Sequence, residues 1–215
     1  METSAPRPHP SATPTPYPEA GPGPLLSRLL ASGIIPTEDY DALDAGGRGS
    51  VDRAADERAL IDALFGVKLL TAFQAECIRT GYTYGLVLGN YRLLDKIGDG
   101  GMGVVYRAEH RQLRTPVAVK VLQPSPDVNP RTIARFFVEA RAVGRLKHPN
   151  IVAAIDAGEE PARGLDAPAQ PYFVMEYVPG VDLERATGAA PLPVPLACQL
   201  AHQVADALVE AHRLD

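Results

Sequence analysis

Cysteine is scarce: Cys77 and Cys198 are the two among 215 residues, far apart and in no Cys-x-x-Cys pair. That count argues against a disulfide framework or a zinc site. It fits reduced thiols in the cytoplasm, each serving as a small apolar filler. Long apolar runs are missing as well; none approaches the ~18 residues of a membrane span. The opening Met1-Glu2-Thr3-Ser4 has neither a basic nor an apolar stretch behind it, so it does not read as a secretory signal. Positive charge is not in excess. The net charge of −5 gives no reason to expect nucleic-acid binding through bulk electrostatics.

Proline is absent from Thr37 to Thr115, yet the chain holds 21, and eight of these fall in the first 24 residues. Residues 1–24 alternate Pro with Ala, Ser, Thr and Gly and cannot bury enough apolar surface to offset the entropy of ordering. They read as a disordered, polyproline-like tail.

Residues 25–85 read as a helical preamble. Leu25, Leu26, Leu29 and Leu30 form a stripe closed by Gly33. Thr37 suits the cap of a short helix ending before a Gly46-Gly47-Arg48-Gly49 loop. Leu60, Ile61, Leu64 and Phe65 share a face of the next helix. Thr71 followed by Gln74 fits a capping box, and Gly81 stops the helix it opens. Nothing in this stretch suggests chemistry; a small interaction module is the reading.

The pattern changes near Leu86. Tyr91–Ile97, Val104–Glu109 and Pro116–Leu122 read as strands separated by turns. Asn129-Pro130 then opens a helix, with Ile133, Phe136, Phe137, Ala140, Val143 and Leu146 at helical spacing. Ile151–Ala157 and Tyr172–Tyr177 are two further strands. After Pro179-Gly180 the chain turns helical, with a longer helix from about Leu196 to His212 striped by Leu200, Val204, Leu208 and Ala211.

Gly98-Asp99-Gly100-Gly101-Met102-Gly103 matches G-x-G-x-x-G, a weak signal by itself. A dinucleotide fold would want a helix next and an acidic residue ~20 positions on. Instead Val104 and Val105 follow, and that distance brings Val117-Ala118-Val119-Lys120. A phosphate-binding P-loop fails too, because no Gly-Lys-Ser/Thr follows. What remains is a glycine turn between antiparallel strands, closing over a triphosphate with its N–H groups. Lys120 on the next strand supplies a point charge, and Glu139, three residues after Phe136, is the candidate to hold it.

With these residues the sequence resembles the protein-kinase family, in particular its bacterial Ser/Thr kinases. The resemblance runs from about Tyr91 to Asp215, through the run Ile97–Tyr106, Val117-Ala118-Val119-Lys120, Glu139, His148-Pro149-Asn150-Ile151-Val152 and Phe173–Gly180, in family order. It implies an ATP site. Ile97, Gly98, Asp99, Gly100, Gly101, Met102 and Gly103 form the phosphate-covering loop. Val105 and Ala118 pack on adenine. Lys120 meets the α/β-phosphates and pairs with Glu139. Met175 is the gatekeeper, backbone groups of Glu176 and Val178 bond the adenine edge, and Asp182 lies near the ribose or the substrate. Asp182 also suits a plain helix cap.

The resemblance implies an α+β fold: a five-stranded antiparallel sheet with one helix across residues 91–178, then the start of a helical lobe over 179–215 that is cut short. It also implies Mg²⁺ for the complete domain. The chain carries neither His-Arg-Asp with its downstream Asn nor Asp-Phe-Gly, so catalytic base and metal ligands are missing. The expectation is a Ser/Thr protein kinase's ATP-binding portion, inactive alone, with ATP and an unidentified protein as partners. The alternative is a non-catalytic nucleotide-binding or interaction module.

Overall fold

A computed structural model describes residues 22–83, 85–100, 103–122, 129–161, 169–188 and 190–213. The stretch read as a tail lies outside them except for its end, where the first helix begins.

Five short helices come first: α1 (Pro22–Ala31), α2 (Thr37–Asp41), α3 (Ala45–Asp52), α4 (Glu57–Gly66) and α5 (Ala72–Arg79). Leu25 and Leu29, one turn apart, are buried, and Gly33 takes the left-handed φ of 73° that ends the first stripe. Two expectations change. Thr37 is the first helical residue of α2, not its cap; Pro36 holds the cap position without a side-chain bond. The Gly46–Gly49 stretch is helix, not loop. Asp44 caps it by accepting from Gly47 N at 2.7 Å, which commits the glycines to the first turn. Arg48 then lies 4.9 Å over the Tyr40 ring and donates to the carbonyls of Tyr40 and Asp41, each at 3.0 Å.

In α4, Leu60, Ile61 and Leu64 are buried, but Phe65 is 46% exposed. At ~100° per residue it falls roughly 90° from the centre of that stripe. The capping box at α5 is present: Gln74 N donates to Thr71 Oγ1 at 3.2 Å and Thr71 N to Gln74 Oε1 at 2.9 Å. The five helices share one apolar core that runs from Leu25 to Leu86.

The sheet has six antiparallel strands in the order β1-β2-β3-β4-β6-β5. They are β1 (Val87–Leu88), β2 (Tyr91–Gly100), β3 (Gly103–His110), β4 (Pro116–Val121), β5 (Ala154–Glu160) and β6 (Gln170–Glu176). The five expected strands are all there; two-residue β1 adds a sixth at one edge. β5 starts at Ala154 rather than Ile151, because Asn150 N and Ile151 N both bond back to His148, each at 3.1 Å, and keep the chain in a turn.

Alternation sorts the strands into two faces. Ala108, Val117, Val119, Val121, Tyr172 and Val174 point one way and form a buried core with Leu88, Tyr91 and Leu93. Val105, Ala118, Lys120, Phe173 and Met175 occupy paired positions on the other face. There Phe173 and Leu122 bury Phe136 and Ala140 of helix α6 (Pro130–Arg145). Asn129 caps α6 by accepting from Arg131 N and Thr132 N at 3.0 and 3.1 Å, with Pro130 in the first turn.

The two sheet edges approach each other. Tyr91 Oη donates to Asp156 Oδ2 at 3.1 Å, and Gly89 N donates to Glu160 Oε2 at 3.0 Å. Helices α7 (Leu183–Thr187) and α8 (Val194–His212) follow, and no residue of α8 is buried. Cys198 therefore stands exposed on α8 rather than filling a core.

Candidate functional site

Lys120 is the fifth residue of β4, opposite Val105 on β3 and Phe173 on β6. Neighbours two apart share a face, so Ala118 lies on the same side, opposite Met175. The lysine stem rests on apolar surface and its ammonium reaches Glu139 Oε1 of α6 at 3.0 Å. Glu139 is delivered by the helix: Phe136 and Ala140 face the sheet, and Glu139 sits at the rim between them. The two side chains are 21% and 43% exposed, so the pair fixes a position more than it adds stability. Beside it opens a cavity of ≈ 260 Å³, lined by Lys120, Glu139, Phe136, Val143, Phe173 and Met175 among others.

Above Lys120 the β2–β3 turn closes. Gly98 pairs with Val105, and Gly100 with Gly103. Gly103 has φ 153°, and a Cβ there would come within 2.3 Å of the Val121 carbonyl oxygen, so the chain itself demands glycine. Gly98 and Gly100 face no such demand. A Cβ on either would have its nearest neighbour at 3.6 and 3.8 Å, ordinary contact. Asp99 pairs with Lys96 at 2.6 Å in the open. Ile97 is exposed within an irregularity between Lys96 and Gly98. Gly101 and Met102 lie outside the described residues.

At the far end of β6, Glu176 N donates to Ala153 O at 2.9 Å, so its N–H is spent within the chain. Val178 is exposed beyond the strand. Asp182 caps α7, its Oδ1 accepting from Arg185 N at 2.7 Å. The structure thus gathers Val105, Ala118, Lys120, Glu139 and Met175 about one face under the glycine turn, while Asp182 has a capping duty of its own.

One ion pair on this face escaped the sequence reading. Arg107 stands opposite Ala118 and bonds Asp95 through Nε at 3.0 Å. Its signal was two opposite charges at cross-strand positions on either side of the glycine turn, a pattern legible only once the β2 register is known. Among the described residues no three His, Cys, Asp or Glu side chains gather into a set that could hold a metal ion. No described helix is long and apolar enough to cross a membrane.

An antiparallel sheet with a glycine-closed hairpin over a lysine, and one helix supplying its glutamate, has the plan of a nucleotide-binding kinase lobe. Compared with known families, residues 91–214 match the protein kinase domain, and the chain belongs to that family. It is 39% identical over 128 residues to the serine/threonine-protein kinase Pkn1 of Myxococcus xanthus, covering 60% of this chain and 17% of that protein. It is 38% identical over 128 residues to the serine/threonine-protein kinase PrkC of Bacillus subtilis, covering 59% and 19%. The chain therefore spans less than a fifth of the length of these relatives. Among solved structures, the M. tuberculosis PknI kinase domain aligns with a TM-score of 0.49 at 30% identity, covering 60% of this chain and 50% of that one.

Proposed function

We propose that residues 91–178 are the ATP-binding portion of a Ser/Thr protein kinase, which transfers a phosphoryl group from ATP to protein Ser/Thr hydroxyls. In this reading residues 25–85 are a helical preamble and residues 179–215 begin the second lobe. The observation that carries it is the 3.0 Å Lys120–Glu139 pair beneath the Gly98–Gly103 turn.

The residues fit ATP. The absence of a side chain at Gly98 and Gly100, which the fold itself does not require, lets backbone N–H groups of the turn approach phosphate oxygens. Lys120 offers its ammonium to those oxygens, and Glu139 keeps the ammonium in place. Val105, Ala118 and Met175 make the apolar walls for a base. With the Glu176 N–H already spent, its carbonyl is the group left to accept from the adenine edge, and Val178 supplies a backbone group beside it. Asp182 keeps one carboxylate oxygen for a ribose while the other caps α7. ATP and a protein are the partners, and the two unpaired thiols fit a cytoplasmic setting.

The family works with Mg²⁺, which neutralises charge on the transferred phosphoryl group. The described residues contain no ligand set for it, so no step is assigned to it. The sequence also lacks a catalytic His-Arg-Asp, so nothing accepts the substrate hydroxyl proton. ATP binding without transfer is the activity expected of the 215 residues. Calorimetric titration with ATP tests this: binding that is lost in Lys120→Ala supports the reading, and equal titration curves for both proteins would sink it.

A further inference from the structure

Two side chains of the helical region reach into the strand that leads to the glycine turn. In β2, Leu93 pairs with Ala108 and Asp95 with Arg107, so Leu94 is an inserted, bulged residue. A bulge takes carbonyls out of the regular ladder, and each needs another donor. Thr71 Oγ1 donates to Leu94 O at 2.5 Å, and Gln74 Nε2 donates to Leu93 O at 2.8 Å. Gln74 is 1% exposed, and its Oε1 accepts from Thr71 N in the capping box. One buried amide therefore shapes the start of α5 at one end and grips β2 at the other. Phe73, between the two, lies 5.5 Å from the Tyr106 ring on β3.

The presence of this bulge matters downstream. A register slip of one residue turns every following side chain to the opposite face. With the bulge at Leu94, Asp95 faces Arg107, and after the irregularity at Ile97 the pairs Gly98–Val105 and Gly100–Gly103 close the turn. Without the inserted residue every later pair would slip by one, which would move Gly98 off Val105 and the turn off Lys120.

We propose that Thr71 and Gln74 are positioning residues for nucleotide. They hold the β2 bulge at Leu94 and so set the Gly98–Gly103 turn over Lys120, which makes the helical region a built-in part of the nucleotide site. The nucleotide half of this claim rests on the ATP reading above. Other contacts dock the helices independently of the bulge. Arg92 Nη1 donates to Ile34 O at 3.2 Å, and Arg114 of the β3–β4 turn bonds Asp39. Replacing Thr71 or Gln74 therefore leaves the docking in place.

The test uses the 215-residue chain with three variants and a control. Thr71→Val keeps the shape without the donor, Thr71→Ser keeps the donor, and Gln74→Met keeps the length without the amide. Asp56→Ala removes the α4 cap, which accepts from Ala59 N at 2.7 Å, and so lowers stability without touching β2. Amide hydrogen exchange at residues 98–105 and the ATP dissociation constant are measured for each. Thr71→Val and Gln74→Met are expected to speed exchange at the turn and weaken ATP about fivefold, the worth of one hydrogen bond. Thr71→Ser and Asp56→Ala are expected to match the parent in both. Unchanged exchange at the turn in Thr71→Val and Gln74→Met overturns the proposal, as does the same acceleration in Asp56→Ala. If the parent chain binds no ATP, the ATP reading fails, and exchange at the turn still decides whether Thr71 and Gln74 position it.

Discussion

Gly103 packs its Cα against the backbone of Val121 so closely that the Val121 carbonyl oxygen lies 2.3 Å from where a Cβ would stand. The start of β3 and the end of β4 are thereby locked together at the mouth of the site. At Gly98, five residues earlier, a Cβ would meet only the Val105 side chain, at an ordinary contact distance of 3.6 Å. Two glycines of one motif thus serve different ends.

Gly103→Ala is accordingly expected to cost about 1–3 kcal/mol, through backbone displacement and strain. Gly98→Ala is expected to leave stability unchanged or slightly raised, since alanine restricts the unfolded chain, while ATP affinity falls. Urea midpoints beside calorimetric titrations separate the two; equal loss of stability in both variants would contradict this division.

Lys120→Ala and Glu139→Gln break a partly exposed pair. Each should change stability by no more than about 1 kcal/mol. ATP affinity should drop at least ~10-fold for Lys120→Ala and less for Glu139→Gln, which still offers an acceptor to the ammonium. Thermal melts and titrations check both; a Glu139→Gln variant that binds ATP more weakly than Lys120→Ala would reverse the assigned roles.

Alkaline pH reports on the corner where the sheet edges meet. Burial, aided by its hydrogen bond to Asp156, pushes the Tyr91 phenol up from 10.0 to about 12. The folded state then keeps a proton that the unfolded state releases. Stability from this group is complete below pH 10 and is lost as pH rises toward 12. Urea midpoints followed from pH 8 to 11.5 should fall more steeply for the parent than for Tyr91→Phe; parallel curves would exclude this contribution.

Arg92 is 7% exposed and bonds both Ile34 O and Glu109 across the junction of helices and sheet. Arg92→Ala takes the donor from the Ile34 carbonyl and leaves the Glu109 carboxylate to Arg114, whose Nη1 donates to it at 2.8 Å, at an expected cost of about 1–3 kcal/mol. Arg92→Lys should restore little, because one ammonium cannot span two partners as the guanidinium fork does. Chemical denaturation of both variants measures this, and a stability of Arg92→Lys equal to the parent would refute it. Because the junction is buried, residues 22–83 and the sheet should unfold in one transition in the parent.

Local rules carried much of the architecture. The Thr71–Gln74 capping box, the Asn129-Pro130 start of α6 and the five strands follow from periodicity and from side chains that bond only their own neighbourhood. The same holds for Lys120 and Glu139, whose motifs place one on a strand and the other at the rim of an apolar helix face. Where neighbours in space decide, the sequence was silent or misleading. The Asp44 cap on Gly47 N, together with the bonds of Arg48 to the α2 carbonyls of Tyr40 and Asp41, turned a glycine-rich stretch into helix. Phe65 kept its apolar side chain outside the core because the stripe is narrower than the run of apolar letters. Whether a motif glycine is needed by the chain or left open for a ligand depended on Val121, which lies 18 positions from Gly103. Above all, a stretch that by composition suggested no chemistry proved to hold the bulge of β2. Hydrogen bonds between Thr71 and Leu94, and between Gln74 and Leu93, join groups about 20 residues apart, and no periodicity encodes a contact of that kind.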